Sequence, residues 1–267
     1  MTMKEPSDTA HESLEKKHDM DLEDALDLVG VGRYQYFHCV LMLTTLEAAI
    51  FEIIGSAFIL PAAACDLGLS DEMRGLIACI PSIGIILTTP FWGRLADKYG
   101  RKPVLTATCA CAGLAGLMAA LMPNLLTFAI CQFVASLFLT SPSSLGFAYA
   151  GEMVPRKQRD RAVLICSGLL SFLAALCPIL AWIVLSFNWQ FYVGTLSLRP
   201  WRLLTAVYAV PLILTAIWMT QAKESPKFLV STDKPEQALE VLRHIFVKNT
   251  GLPVEEYSVS YFYFFIA

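Results

Sequence analysis

Long uncharged stretches alternate with short charged segments along most of the chain. A helix needs about 20 apolar residues to cross a bilayer core about 30 Å thick, so uncharged stretches can be converted into spanning helices. Residues 75–93 carry no charge and predict one span. Residues 103–151 also carry none, but as a single helix they would be more than twice as long as the core is thick.

The Pro123-Asn124 pair predicts the turn that divides this long stretch into two helices. The first span is predicted over Tyr36–Ala64, because its apolar character outweighs His38, Glu47 and Glu52. The fifth span ends near Phe187 and is followed by a short loop. The predicted spans are 36–64, 75–93, 103–122, 125–149, 162–187 and 203–222. The fold class is therefore an all-α membrane protein with six transmembrane helices.

Lysine and arginine are concentrated in two of the connecting loops, 94–102 and 152–161, while the 123–124 turn has neither. Short cytoplasmic loops carry an excess of these residues. We therefore expect both basic loops and both termini on the cytoplasmic side of a multi-pass protein of the plasma membrane or a vesicle membrane.

Composition supports the membrane class, because 16% of residues are charged, against about 25% in soluble domains. The net charge of −3 does not suggest a nucleic-acid partner. We divide the chain into a disordered cytoplasmic tail (1–28), the six-helix bundle (29–222) and a cytoplasmic segment (223–267). Within that segment, residues 233–248 predict an amphipathic helix capped by Asp233 and followed by Gly251.

The most informative motif is Gly93-Arg94-Leu95-Ala96-Asp97-Lys98-Tyr99-Gly100-Arg101-Lys102, between spans two and three. An ordinary basic loop would explain the four bases but not the two glycines around an acid. The motif resembles the signature between helices two and three of the major facilitator superfamily (MFS), where it is a conformational latch that contacts neighbouring helix ends. By that resemblance the latch residues are Gly93, Arg94, Asp97, Gly100, Arg101 and Lys102.

Further motifs follow in the order of that family. Glu152-Met153-Val154-Pro155-Arg156-Lys157-Gln158-Arg159 resembles its E-x-x-P-x-x-x-R element, which adds Glu152 and Arg159 to the latch. Glu224-Ser225-Pro226-Lys227-Phe228-Leu229 resembles its P-E-S-P-R-F-L element, and Trp201-Arg202 opens span six. Together with the lead-in Val29–Gln35, these motifs place the chain nearest the synaptic vesicle glycoprotein 2-related and organic ion carrier branch, as an N-terminal six-helix half.

Three polar side chains inside the spans are candidates for contacting substrate or exchanging a proton. Charged residues at membrane depth are costly and often functional, which makes Glu52 and Glu47 candidates. We rank Glu52 first, since it precedes Pro61 by nine residues like an acid in the related branch. The alternative is a protonated carboxyl bonded to a neighbouring helix. Gln132 stands where many relatives have arginine, and it can bond either a substrate or another helix.

No pattern predicts a metal site, a cofactor or an enzyme. The eight cysteines lie in or beside apolar runs, without zinc or disulfide spacing. His11, His18, His38 and His244 are scattered, and no catalytic constellation accompanies them.

The resemblance implies transmembrane transport of a small organic solute, an organic ion or similar metabolite, by alternating access. The alternative is a non-transporting membrane protein of the synaptic-vesicle type that acts as a binding or regulatory partner. Expected partners are the lipid bilayer, a small-molecule substrate and a second six-helix half or another chain. Carriers of this family have two such halves. We therefore expect either a truncated product or a half-carrier.

Overall fold

The computed structural model describes residues 19–193, 196–257 and 261–262. Helices dominate these ranges. They are α1 (Leu22–Val29), α2 (Arg33–Leu67), α3 (Asp71–Tyr99), α4 (Arg101–Leu121), α5 (Leu125–Glu152), α6 (Arg156–Leu173), α7 (Leu176–Leu185), α8 (Pro200–Met219), α9 (Pro226–Ser231) and α10 (Pro235–Thr250). A short 3-10 helix covers Val254–Glu256.

Within these ranges, two small sheets accompany the helices. The strands β2 (Phe191–Val193) and β3 (Leu196–Leu198) form an antiparallel pair before α8, where the sequence predicted only a short loop. The strands β1 (Asp19–Met20) and β4 (Tyr261–Phe262) pair in parallel.

Six spans are long and apolar enough to cross a membrane, which confirms the predicted fold class: α2, α3, α4, α5, the α6–α7 pair and α8. Most of them extend past the uncharged runs that predicted them. Helix α3, for example, continues from the predicted end at residue 93 to Tyr99. A charged side chain can occupy a terminal helical turn when that turn lies at the membrane surface, so charge marks the bilayer boundary and not the helix end.

The fifth span is interrupted between α6 and α7. Pro178 has no amide hydrogen to donate to the carbonyl of Ala174, four residues earlier, and its ring crowds that carbonyl. The backbone turns more tightly there: the Cys177 amide donates to Ala174 (3.2 Å) and the Ala175 amide to Phe172 (3.3 Å). The fifth span was predicted as one continuous helix, so this break was not expected from the sequence.

The six spans are packed unequally. About half of the apolar window is buried in α4, α5 and α8, and nearly as much in α2. In contrast, only 17% is buried in α3 and 11% in α6–α7. Small residues allow the close contacts: Gly84 of α3 lies against Ser136 of α5, where a β-carbon would collide with the serine side chain. We call α3 and α6–α7 the sparsely packed spans.

Residues 22–28, assigned to a disordered tail from the sequence, instead form helix α1. Its apolar residues recur at helical spacing, and Ala25, Leu26 and Val29 are buried in the same core as α10. The tail prediction was wrong here because this short apolar stripe lies within an acidic segment. The predicted disorder of residues 1–18 lies outside the described residues.

Helix α10 begins and ends two residues later than predicted. Asp233 does not cap it, because its backbone is left-handed (φ +57°) and Lys234 occupies the cap position. Gly251 ends the helix with a φ of +74°. The Asn249 side chain fixes α10 to the start of α2: it accepts from the Tyr34 amide (3.0 Å) and donates to Gln35 Oε1 (2.8 Å).

Candidate functional site

A charged network lies at the end of the bundle that carries the basic loops, here called the basic end. Its most enclosed ion pair joins the Arg101 guanidinium of α4 to the Glu152 carboxylate of α5 at 2.9 Å, and both side chains are mostly buried. Because both side chains are mostly enclosed, salt screens this ion pair less than it would screen an exposed one. The pair therefore links the third and fourth spans at one end.

Glu224, just after the end of α8, connects a third helix to the network. Its Oε1 accepts from the backbone amides of Arg101 (3.1 Å) and Lys102 (3.3 Å) at the start of α4. A carboxylate is favoured there, because unpaired amides and the helix dipole are positive at an N-terminus. The Lys102 ammonium donates in turn to the Thr220 carbonyl at 3.0 Å.

Gly100 is required by this arrangement for two reasons. Its φ is +107°, a conformation that L side chains rarely adopt, and a β-carbon there would collide with the Glu224 carboxylate. Gly93, the other glycine of the motif, has open space beside it. The structure therefore gives the two glycines different roles.

The second basic loop is tied to α1. Arg159 donates from Nε to the Gly151 carbonyl at 2.7 Å and from its terminal nitrogen to the Glu23 carboxylate at 3.1 Å. Lys157 pairs with Asp27 at 3.2 Å. Both acids lie in the segment predicted from sequence as a disordered tail, so neither was predicted to pair with this loop.

The remaining latch candidates stay outside the network. Asp97 is exposed and approaches Arg101 only at 3.7 Å. Arg94 is exposed and forms no ion pair with another residue in the described ranges. The structure thus brings Gly100, Arg101, Lys102 and Glu152 together and ties Arg159 to α1. It leaves Arg94 and Asp97 exposed and Gly93 half-buried beside open space.

Glu52 faces the packed interior of the bundle. It is 2% exposed, and its carboxylate lies so close to Gly116 of α4 that a β-carbon there would collide with it. A β-carbon on the same glycine would also collide with Ala209 of α8, so the Glu52 side chain lies where α2, α4 and α8 meet. Neither carboxylate oxygen has a hydrogen-bond partner within the described part of the chain.

Glu47 occupies a different side of α2. It is 7% exposed, and both oxygens also lack a partner among the residues described. It lies on the same face of α2 as three exposed side chains, because the residues of this face follow one another at intervals of four or seven: Tyr36, Val40, Glu47 and Ile54. Its carboxylate lies near Cys177 of the sparsely packed α7.

A cavity of about 460 Å³ opens between α2 and α6, one helical turn from Glu47. From α2 it is lined by Gln35, Cys39 and Leu43, and from α6 by Arg161 and Cys166. Gln132 does not border it: this side chain is 5% exposed and makes no side-chain hydrogen bond with another described residue. Of the three intramembrane candidates, Glu47 is the one that lies one helical turn from this cavity.

The opposite end of the bundle holds a cluster that the sequence analysis did not predict, here called the Asp66 cluster (Asp66, Ser197, Arg199, Trp201 and Arg202). Arg202 is 4% exposed and donates to three carbonyls, those of Ser197 (2.7 Å), Ala120 (3.1 Å) and Met122 (2.6 Å). Its remaining nitrogen lies 3.6 Å from Asp66.

The other members of the cluster converge on Asp66. Ser197 donates to it at 2.8 Å and the Trp201 indole at 3.2 Å, while Arg199 lies 3.3 Å away. An acid in the last turn of an apolar span was the available signal, because such a group requires partners.

No group of histidine, cysteine, aspartate or glutamate within the described ranges has the arrangement of a metal site. The features that remain are six membrane spans, an interhelical charged network at one end and lone carboxylates at mid-span. They define the class of protein: a six-helix membrane bundle with the architecture of one half of a two-half carrier fold.

The comparison with protein families gives the same answer. The profile of the Major Facilitator Superfamily matches residues 40–267, so the chain belongs to that superfamily. Synaptic vesicle glycoprotein 2B of Rattus norvegicus is 26% identical over 90% of this chain and 36% of its own length. Synaptic vesicle glycoprotein 2C of Mus musculus is 24% identical over 93% of this chain and 34% of its own. The chain therefore spans about a third of these curated relatives.

Solved structures share the fold. The proton:xylose symporter XylE bound to 6-bromo-6-deoxy-D-glucose superposes with a TM-score of 0.70 at 17% identity, over 84% of this chain and 51% of that one. A partially occluded, inward-open form of XylE from E. coli gives 0.66 at 20% identity, over 85% and 58%. These comparisons confirm the resemblance to an N-terminal MFS half related to synaptic vesicle glycoprotein 2.

Proposed function

We propose that this chain forms one half of a membrane transporter that moves a small organic ion or similar metabolite by alternating access. The observation that carries the proposal is Glu47, an enclosed carboxylate without a described partner, one turn beyond the cavity between α2 and α6. A lone carboxylate at membrane depth is costly and is often retained for a substrate or a proton.

The unequal packing supports a two-half arrangement. In the superfamily, substrate binds between two halves that rock against each other. Helices facing a second half would be left with little cover in one half alone, as α3 and α6–α7 are here. We therefore propose that the sparsely packed spans face a second half, supplied by the same polypeptide or another chain.

Within this scheme we assign different roles to the two glutamates. Glu47 lies one helical turn beyond the cavity and would contact a cationic or hydrogen-bonding group of a substrate that enters from it. Glu52 lies between three helices of the same half, so its role would be to bind a proton or to adjust their packing. This order reverses the ranking made from sequence, which rested on the distance between Glu52 and Pro61.

The charged network is proposed as the latch. Arg101, Glu152 and Glu224 join α4, α5 and the end of α8 through side chains that are not fully enclosed. Separating those helix ends would exchange these contacts for water, which makes the network suited to holding one access state. We place the basic end in the cytoplasm, following the distribution of lysine and arginine.

Uptake by the purified assembly tests the proposal. The chain would be extracted in a mild detergent so that any second half stays bound, reconstituted into liposomes, and offered a mixture of small organic ions. Mass spectrometry of the liposome contents would identify any solute that accumulates. We expect Glu47→Gln to lower the initial rate of uptake of that solute by about 10-fold or more. This is the effect expected when one hydrogen bond to a charged group is lost.

Glu72→Gln is the matched control, because it removes the same charge from an exposed position in the first turn of α3. It should leave uptake unchanged. Failure of the wild-type assembly to accumulate any solute would favour the alternative of a non-transporting binding protein. Uptake that is equal in wild type and Glu47→Gln would remove Glu47 from the proposed site.

A further inference from the structure

A second pocket lies at the basic end and shares no lining residue with the charged network or with the cavity beside Glu47. It has a volume of about 510 Å³. It lies where the start of α2 and the last turns of α10 meet the chain just after α8. Its lining residues are Arg33, Tyr34, Phe37, Gln221, His244 and Lys248. We call it the basic pocket.

Positive charge outweighs negative charge around this pocket. Arg33 and Lys248 are exposed, and neither forms an ion pair within the described ranges. The pKa of His244 is lowered first by partial burial and then by the positive charges of Lys223 and Lys248. Glu240 opposes these effects on His244 from one turn earlier but does not reverse them.

The pocket lies at the depth expected for lipid headgroups. Arg33 is the first residue of the first span, and Gln221 comes two residues after the end of the sixth. Basic pockets at this level between spanning helices are suited to phosphate headgroups. Phe37 and Trp218 lie beside it with their rings edge to face, 5.8 Å apart.

An apolar track continues from the pocket toward the membrane interior. Leu214 and Ile217 lie three residues apart on the same face of α8, and Gln221 follows Ile217 by four residues in the turn after the helix ends. Ile217 is 62% exposed and Leu214 is 59% exposed. A free anion would use only the basic pocket, whereas a phospholipid would use both the pocket and the track.

We propose that the basic pocket binds the phosphate headgroup of an anionic phospholipid, with Arg33 and Lys248 contacting the phosphate and the acyl chains lying along Ile217 and Leu214. The bound lipid contacts α2, α8 and α10 together. It therefore holds the amphipathic helix α10 against the bundle, a role independent of transport.

Thermal unfolding of the full chain in a neutral detergent, with added dioctanoyl phosphatidic acid, tests this site. The lipid should raise the unfolding midpoint of the wild-type protein. The double variant Arg33→Gln/Lys248→Gln should require roughly 10-fold or more lipid for the same rise, since each cation near a membrane surface contributes about 1 kcal/mol. Dioctanoyl phosphatidylcholine should have little effect on either protein.

Arg156→Gln/Lys234→Gln is the matched control, because it removes two exposed cations from the same end outside the pocket. It should respond like the wild type. The single variant Lys248→Gln repeats the test with a smaller perturbation of folding, and should respond between the wild type and the double variant. Equal responses of the two double variants would overturn the proposal.

Two further measurements distinguish binding of a phospholipid from binding of a free anion. Inorganic phosphate at the same concentration should stabilise the protein much less than phosphatidic acid, and Leu214→Ser/Ile217→Ser should weaken the response to the lipid. If inorganic phosphate stabilised the protein as strongly as the lipid, the assignment to a phospholipid would be wrong. Absence of any response to phosphatidic acid in the wild type would also refute it.

Discussion

The two ends of the bundle are both held by arginine and carboxylate groups, but in different ways. At the basic end, pairs such as Arg101–Glu152 and Arg159–Glu23 join side chains from separate helices, and part of each remains accessible. At the opposite end, Arg202 is almost fully enclosed and donates three hydrogen bonds to backbone carbonyls.

This difference separates a fixed junction from a breakable one. A side-chain pair can be exchanged for another pair or for water when two helix ends separate. A buried guanidinium that satisfies carbonyls at the end of α4 has no such replacement, because the carbonyls would be left without donors. We therefore expect α2, α4 and α8 to stay joined at the Asp66 cluster, while rearrangement occurs at the basic end.

The largest predicted effect is that of removing Arg202. Arg202→Met should lower the free energy of unfolding by about 3–5 kcal/mol, since it leaves three enclosed carbonyls without this donor and takes away one of the two arginines beside Asp66. Thermal unfolding in detergent, with the yield of monodisperse protein, measures the loss. Arg199→Met is the control: it removes a more exposed arginine that contacts the same aspartate, and its effect should be much smaller. Equal effects would contradict a special role for Arg202.

An intermediate effect is predicted for Gly100, where the basic end depends on backbone conformation. Gly100→Ala should destabilise the protein by about 1–3 kcal/mol, because alanine is strained at that φ and its methyl group displaces Glu224 from α4. Gly93→Ala adds the same methyl group where space is open, so it is the matched control. Comparable losses of stability in the two variants would show that the Glu224 contact is not the reason for Gly100.

The spans could be predicted from the sequence because the hydrocarbon thickness fixes a length that uncharged runs must meet. Smaller elements could not. Helix α1 is short, and its apolar stripe is recognisable only against α10, which lies more than 200 residues away in the chain. The β2–β3 hairpin has strands of three residues, too short for a pattern to stand out.

The candidate site was predicted in part. Loop motifs identified Gly100, Arg101, Lys102 and Glu152, which the structure brings together. The motifs could not indicate that Arg94 and Asp97 would remain at the surface. Nor could the sequence decide which way Glu47 and Glu52 point, because the rotation of α2 depends on which neighbours pack against it.

The smallest effect is predicted for the Glu23–Arg159 ion pair between α1 and the second basic loop. It tests whether the contacts at the basic end can be broken without unfolding the protein. Glu23 and Arg159 are each partly exposed, so their pair should contribute only about 0.5–1 kcal/mol and weaken as salt is raised. Glu23→Gln should therefore leave global unfolding nearly unchanged while increasing hydrogen exchange within α1. Asp24→Asn removes an exposed acid of the same turn that has no described ion pair, and it should not affect exchange.

A double-mutant cycle with Arg159→Gln isolates this pair from the bonds that Arg159 makes to the Gly151 carbonyl. The coupling measured in α1 exchange should be small and should disappear at high salt. A coupling as large as the loss predicted for Arg202→Met would mean that the basic end is as fixed as the opposite end. The distinction between a breakable junction and a permanent one would then fail, because enclosed pairs retain their strength in salt whereas accessible pairs do not.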